Sequence, residues 1–363
     1  MAEAQQRRSA AKVFFSQRVQ SPVFIGREAT VERFVITSLG GFFPVIAQHP
    51  DGTLAIVARD GDIHVGQMGR LGIATSPDGG VSWSRLQPVA DEGVDLRNPG
   101  FGITSKGRWI LAYMEMDSYI NGYWSPTEKP SVGRVFFRIS EDGETWSDPQ
   151  RIDVGGYPVA CPFGKIVELG PDHLLMSLYG GNRSYVIRSR DGGATWSDIS
   201  VIAEGYNETA LLALPSGRIL AALRSSGGDN WAAGIHLAYS LDEGRSWSKP
   251  VPVTGEAQHP ADLLLLRDGR VVLSYGHRRP PYGVRAVVSR DEGTSWDHDN
   301  TVILVADSST PDCGYPSSVQ LPNGDIFTAY YAKDSLSIKQ GARYLLGVHA
   351  AGVRYSPALF DQR

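Results

Sequence analysis

Short apolar runs alternate with polar turns along the whole chain. In "PDGTLAIVA", "SKGRWILAY", "PSGRILAAL", "RDGRVVLSY" and "PNGDIFTAY" a turn glycine (Gly52, Gly107, Gly217, Gly269, Gly324) sits between two apolar runs. Glycine supplies the backbone angle of a tight hairpin turn, and β-rich runs on either side predict strands. A sixth turn, "GPDHLLMSL" around Asp172, fills the gap between the second and third. A second mark lies between these turns. "SPDGGVSW" begins at Ser76, "SEDGETW" at Ser140, "SRDGGATW" at Ser189, "SLDEGRSW" at Ser240 and "SRDEGTSW" at Ser289. The common pattern is Ser-x-Asp-x-Gly-x-Ser/Thr-Trp, at intervals of 64, 49, 51 and 49 residues. A period near 50 marks a propeller or solenoid.

Each unit reads strand, turn, strand, strand, box, strand. Six turns therefore predict an all-β fold, a six-bladed β-propeller of four-stranded antiparallel blades, spanning residues 1–363 as one domain after a short disordered N-terminus of about twelve residues. The last unit, "ARYLLGVHAAGVRY", ends without a box, so an N-terminal strand near "QRVQSPVFI" is expected to complete its sheet and close the ring. The box reads as a fold device. Its Asp accepts backbone N–H bonds inside a turn, its Gly takes an angle other residues resist, and its Trp plugs the space between strands. The boxes lack the ligand spacing of an EF-hand, so they are not read as calcium sites.

Composition narrows the picture. The 41 glycines and 22 prolines suit many short strands and turns. A net charge of −4 shows no basic excess, which argues against nucleic acid or an anionic membrane as partner. No apolar run approaches the length of a membrane helix. The start, "MAEAQQRRSAAKVFFSQ", has no apolar core of a signal peptide, so the chain reads as cytoplasmic as written, and as secreted only if a leader has been removed. Two cysteines, Cys161 and Cys313, do not make a disulfide framework, although one bridge between them stays open.

Candidate chemistry follows from the repeat. In a propeller the innermost strand of each blade lines the central channel, and here it precedes the turn glycine. Tyr315 lies nine residues before Gly324, and Glu208 nine before Gly217. A tyrosine and a glutamate thus share one height in two blades. His259 and Asp262 lie beside that level in a third blade, and Asp95 and Arg97 in a fourth. Each alone is more often a packing or solvated residue; their coincidence at one height raises the reading of a site. Arginines at strand ends add to it: Arg59, Arg97, Arg224, and the group Arg278, Arg279 and Arg285. Guanidinium forks bind carboxylate in two-pronged fashion, so such a set predicts a small anionic ligand.

With these features the chain resembles the sialidase (neuraminidase) superfamily, whose Asp-box repeats match the five boxes. The resemblance covers nearly the whole chain. "NETALLALPSGRILAALRS" looks like the segment supplying a glutamate and the second arginine of a carboxylate-binding triad, here Glu208 and Arg224. "GYPSSVQLPNGDIFTAYY" looks like the segment of the nucleophilic tyrosine, here Tyr315. The third arginine maps to Arg278, with Arg279 and Arg285 as alternatives. The family's first arginine, in a Phe/Tyr-Arg-Ile-Pro motif, is missing: "GFFPVIAQHPDG" has Phe42 there, and Arg59 or Arg97 is expected to substitute. The acid/base group belongs to the loop "RDGDIHVGQMGR", with Asp62 favoured, then His64, and Asp60 as a further choice. The resemblance implies an exo-acting, retaining hydrolase releasing terminal sialic acid from a sialoside or related glycan, with no metal and no cofactor. A tyrosine nucleophile suits a sugar whose anomeric carbon bears a carboxylate, because a carboxylate nucleophile would be repelled. Two rivals remain: the same chemistry on another acidic or neutral sugar, and a sugar-binding propeller without catalysis.

Overall fold

The computed structural model describes residues 14–15, 18–19, 31–38, 40–130, 134–156, 160–226, 231–335 and 345–361. The expected disordered stretch of about the first twelve residues lies outside these. Among the described residues, six four-stranded antiparallel units follow one another. Blade one is Phe42–Gln48, Leu54–Asp60, Arg70–Ser76 and Gln87–Ala90. Blade two is Asp95–Ile103, Trp109–Met116, Arg134–Ser140 and Gln150–Ile152; blade three is Cys161–Gly170, His173–Gly180, Arg183–Ser189 and Ser197–Glu204. Blade four is Tyr206–Ala213, Ile219–Ser225, Ile235–Ser240 and Val251–Pro252; blade five is Gln258–Leu265, Val271–His277, Tyr282–Ser289 and Val302–Ser308. Blade six joins Gly314–Gln320, Ile326–Ser335 and Leu345–Tyr355 to Glu32–Thr37 from the other end of the chain. Blades two and three share one eight-stranded sheet through a short parallel pairing of their inner strands, Gly100 with Gly164 and Phe101 with Lys165.

The closing strand differs from the sequence expectation. Of "QRVQSPVFI" the described residues are Arg18–Val19, which add a fifth, outermost strand; the fourth is Glu32–Thr37. Phe34, Val35 and Ile36 are buried, and Phe34 and Ile36 join the core shared with blade one.

Six of the seven apolar clusters lie between two successive blades, and the seventh gathers Phe42, Phe43, Phe163, Tyr315 and Tyr331 from blades one, three and six. Val45, Ala55 and Val57 of blade one meet Leu96, Phe101 and Leu111 of blade two. Equivalent clusters join two to three, three to four, four to five, five to six and six to one, which closes the ring. Along Ile219–Ser225, Ile219, Ala221 and Leu223 face blade three, whereas Leu220 and Ala222 face blade five. Because side chains alternate across a strand and both faces are covered, the strands read as continuous apolar runs.

The turn glycines behave as expected. Gly52, Gly107, Gly217, Gly269 and Gly324 all have positive φ and donate their N–H to the carbonyl three residues back at 2.9 Å. Asp172 holds the sixth turn at φ +64. In the box at Ser189, Asp191 accepts from Ser189 Oγ at 2.8 Å, Thr195 N at 2.9 Å and Thr195 Oγ1 at 2.5 Å, and Gly193 N donates to Ser189 Oγ at 2.8 Å. The boxes therefore satisfy their own backbone and carry no catalytic set. Cys161 and Cys313 are both buried and unbridged, which settles the open question of a disulfide.

Candidate active site

Five inner strands bend at the same height. The antiparallel register slips between Phe42 and Val45, between Arg97 and Gly100, between Tyr206 and Thr209, between Gln258 and Ala261, and between Gly314 and Ser317. Such bulges re-aim side chains. Phe43, Asn98 and Tyr315, each followed by proline, take positive φ of 53°, 50° and 49°. Left-handed backbone is costly for bulky residues and clusters at functional sites. Each of these residues lies nine before its turn glycine, as Glu208 does. The count that finds Glu208 and Tyr315 therefore also finds Phe43 and Asn98, a signal the sequence reading left unused.

At the centre, Tyr315 Oη donates to Glu208 Oε1, and Arg224 Nη1 donates to Glu208 Oε2. All three side chains are almost completely buried. Burial raises the Tyr315 phenol well above its ordinary range, and the Glu208 charge raises it further, while Arg224 and Arg278 pull the other way. Burial disfavours the Arg224 charge, but Glu208 more than restores it. Arg278 lies over the Tyr315 ring, 5.5 Å from its centroid, and its Nε donates to the His259 carbonyl at 3.2 Å. Its buried Nη2 has no hydrogen-bond partner among the described residues. A buried guanidinium nitrogen left unpaired is costly, and an anionic ligand would satisfy it. Among the three arginines weighed for this place, Arg279 instead pairs with Glu256 on the surface at 2.7 Å, and Arg285 lies on the third strand of blade five.

Aromatic rings wall the site. Phe43 is 4.8 Å from Tyr315, Tyr331 is 5.5 Å and Phe163 is 6.1 Å. His64 is on the rim, its ring 5.0 Å from Phe43, with Nδ1 2.9 Å from Asp312 Oδ1. Tyr331 Oη donates to the same Asp312 oxygen at 2.6 Å. Burial opposes ionisation of Asp312, but the His64 and Tyr331 hydrogen bonds and the nearby Arg278 hold its carboxyl below the usual range. Tyr179, paired with Asn98 Nδ2, stands close enough to feel the charges of Glu208 and Arg224. Asp312, Tyr331 and Tyr179 carry no repeat marker in the sequence and were not anticipated.

Several expected positions fall elsewhere. Asp62 does not reach the site: its carboxylate accepts from Ile63 N at 2.8 Å and Met68 N at 3.0 Å, in its own loop. The Met68 bond, more than any other cause, lowers its pKa, which makes Asp62 a poor acid near neutrality. Asp60 pairs with Arg70. Arg59 is fully buried, and its guanidinium serves Asp95 Oδ1 at 2.6 Å and the carbonyls of Ile63, Gly66 and Leu96. It cannot replace the missing first arginine. Asp95 is itself fully buried between Arg59, Arg97 and Tyr119. Arg97 keeps some exposure, with Nε on Asp95 Oδ2 at 2.5 Å and Nη2 on the His64 carbonyl at 3.3 Å. The His259 ring has no exposure, so its part in the site is the carbonyl that holds Arg278. Asp262 lies deeper, paired with Lys165 Nζ at 2.9 Å and accepting from Ser318 N. It ties three blades together, and burial raises its pKa against the pull of Lys165. At the place of the family arginine, Phe42 packs 5.4 Å from Tyr331 and 5.5 Å from His64.

The fold has many solved relatives. A protein of unknown function from Dyadobacter fermentans superposes with TM-score 0.74 at 21% identity, over 89% of this chain and 97% of that one. The intramolecular trans-sialidase from Ruminococcus gnavus superposes with TM-score 0.66 at 14% identity, over 89% and 96%. A variant of the NanB sialidase from Streptococcus pneumoniae gives 0.67 at 15%, over 94% and 71%. At these identities the likeness concerns the fold. Comparison with curated proteins finds no match. The model of the BNR repeat-like domain matches residues 96–328, well over half of the sequence, and with five boxes on a sialidase-like propeller the chain belongs to that family.

Proposed function

We propose that the protein is a retaining glycoside hydrolase that releases terminal sialic acid, with Tyr315 as nucleophile and Glu208 as its base. The observation that carries this reading is the buried Tyr315–Glu208–Arg224 chain with Arg278 over the tyrosine ring. A buried phenol with a raised pKa is a weak nucleophile by itself, so a partner must take its proton as it attacks. Glu208 is in hydrogen-bond contact with that proton. The Tyr315 oxygen attacks the anomeric carbon, and Glu208 accepts the phenol proton. The bond to the leaving oxygen breaks, and that oxygen takes a proton from His64, which replaces Asp62 in this role. Water then attacks the same carbon, His64 accepts its proton, and Tyr315 departs with the proton returned by Glu208. Arg224 and Arg278 hold the carboxylate of the sugar, and the unpaired Arg278 Nη2 receives one of its oxygens. Sialidases of this fold support the reading.

A second reading is favoured by one observation. Phe42, buried beside Phe43, stands where the family's first carboxylate-binding arginine is expected. A sugar with a less demanding acidic group would suit a two-arginine site. The test is hydrolysis of 4-methylumbelliferyl sialoside beside a panel of other aryl glycosides. The sialoside should turn over, and Tyr315→Phe should lower kcat/KM by at least about 10³-fold while the thermal midpoint stays close to wild type. Cleavage of a uronide or another glycoside in its place would select the second reading. Retained sialoside affinity without turnover in wild type would make the protein a binder.

A further inference from the structure

The charged groups around His64 form an arrangement that the proposed mechanism uses only in part. His64 Nδ1 is 2.9 Å from Asp312 Oδ1, and that oxygen also accepts from Tyr331 Oη at 2.6 Å. Asp312 stands in the segment between Val302–Ser308 and Gly314–Gln320, three residues before the nucleophile Tyr315. The Phe43 ring touches both groups, His64 at 5.0 Å and Tyr315 at 4.8 Å. The Phe42 ring meets His64 edge-on at 5.5 Å. The backbone carbonyl of His64 is held by Arg97 Nη2. The imidazole is thus held by one carboxylate and two aromatic rings and its backbone by one arginine, yet about a third of its side chain stays exposed.

We propose that Asp312 is a positioning residue for His64, so that a histidine–carboxylate pair carries the proton to and from the leaving-group oxygen. This rests on the hydrolase reading above. A carboxylate accepting from Nδ1–H sets the tautomer and ring orientation and leaves Nε2 for the substrate. In the first half-reaction Nε2 gives its proton to the glycosidic oxygen as the bond to the anomeric carbon breaks, and the bonding electron pair stays on that oxygen. In the second half-reaction Nε2 takes the proton of the attacking water. Asp312 keeps its charge throughout and stabilises the imidazolium. Tyr331 holds Asp312 in place, which explains why a phenol is buried at that point with no part in the covalent chemistry. Both carboxylates of this loop are engaged elsewhere: Asp60 pairs with Arg70, and Asp62 accepts from the backbone N–H groups of Ile63 and Met68.

The test compares two leaving groups on one sugar, using the full chain and the variants His64→Ala, Asp312→Asn and the double variant. Dinitrophenolate leaves without protonation, whereas an alkyl alcohol needs a proton. Each single variant should raise the ratio of kcat/KM for the dinitrophenyl over the alkyl glycoside by at least about tenfold, within the range general acid catalysis supplies. The double variant should be no worse than His64→Ala, because the two residues act as one unit. Equal losses on both leaving groups in Asp312→Asn would mean that Asp312 only stabilises the fold, and the proposal would fall while the hydrolase reading stood. Silence of wild type on every glycoside would remove the hydrolase reading and this role with it. A readout independent of turnover is the ¹⁵N spectrum of the His64 ring. Wild type should carry its neutral-state proton on Nδ1, and Asp312→Asn should lose that preference. A wild-type ring protonated on Nε2 alone would overturn the pairing.

Discussion

A buried arginine can hold the protein together or wait for a ligand, and Arg59 and Arg278 divide these tasks. Arg59 places its donors on Asp95 and three carbonyls, with no exposure. Removing one member of a buried ion pair leaves its partner charged and desolvated, at a cost of about 3–5 kcal/mol. Arg59→Met should therefore lower the denaturant midpoint strongly, and an unchanged midpoint would show that Asp95 is satisfied by Arg97 and Tyr119 alone. Arg278 has a buried nitrogen with no hydrogen-bond partner among the described residues. A hydrogen bond to a charged group contributes about 1.5–3 kcal/mol, so Arg278→Met should lower kcat/KM for an acidic sugar by about 10- to 100-fold. The loss should be much smaller for a neutral aryl glycoside. Equal losses on both would assign Arg278 to packing over Tyr315.

At the scale of the element, the box glycines show what the repeat is for. An added Cβ on Gly193 would lie 2.3 Å from Ile110 Cδ1 in the preceding blade; on Gly80 it would lie 2.2 Å from Phe327, and on Gly293 2.8 Å from Leu220. The box turn thus presses backbone onto the neighbouring blade. Gly217, at φ +85, has open space around its missing Cβ. Gly217→Ala should cost only the left-handed backbone penalty, about 1–2 kcal/mol. Gly193→Ala should add about 1–3 kcal/mol of overpacking. Equal shifts in thermal midpoint would deny the inter-blade role. The box carboxylates also set the acid limit. Asp142 is lowered to about 2, first by the Thr145 and then by the Glu144 N–H bond. In Asp78, Asp191 and Asp291 burial works in the opposite sense, but hydrogen bonds from the box hydroxyl and backbone outweigh it. A folded-state pKa below the unfolded value near 3.9 stabilises the protein above that value, and the contribution is lost as pH falls through the folded pKa. Thermal midpoints should therefore drop steeply between about pH 4 and 2. Asp142→Asn should start lower at pH 7 and fall less steeply below pH 4; parallel curves would remove the box from the acid transition.

For the whole molecule the decisive contact is the one that closes the ring. Glu32–Thr37 pairs with Leu345–Tyr355, and Arg354 Nε donates to Glu32 Oε2 at 2.9 Å. Phe34 and Ile36 are buried in the core that joins blades six and one. Burying two such side chains contributes roughly 3–6 kcal/mol, comparable with the net stability of a domain. Removal of residues 1–38 would also leave Leu345–Tyr355 as a long unpaired edge. The truncated chain should lose cooperative unfolding and aggregate on a sizing column. A monomer with an unchanged melting curve would show that five closed blades and an open sixth are enough.

The number of blades, the hairpin turns and the box device were legible in the sequence because each depends on neighbouring residues. Gly52 and its counterparts need only their own φ, and Asp191 needs only hydroxyl and N–H groups within its own box. The heights of Glu208 and Tyr315 followed from a constant count back to a turn. What the linear pattern does not contain is the direction of a buried charge. Arg59 is committed to structure because Asp95, from the next blade, reaches it; Asp62 is lost to chemistry because its loop folds onto its carboxylate. Asp312 meets His64 across 248 positions, and Glu32–Thr37 meets its partner from the opposite end of the chain. Local turn chemistry fixed the architecture from the sequence alone, whereas desolvation and side-chain pairing between blades decided which ionisable groups face a ligand, since both depend on neighbours that only the closed ring brings together.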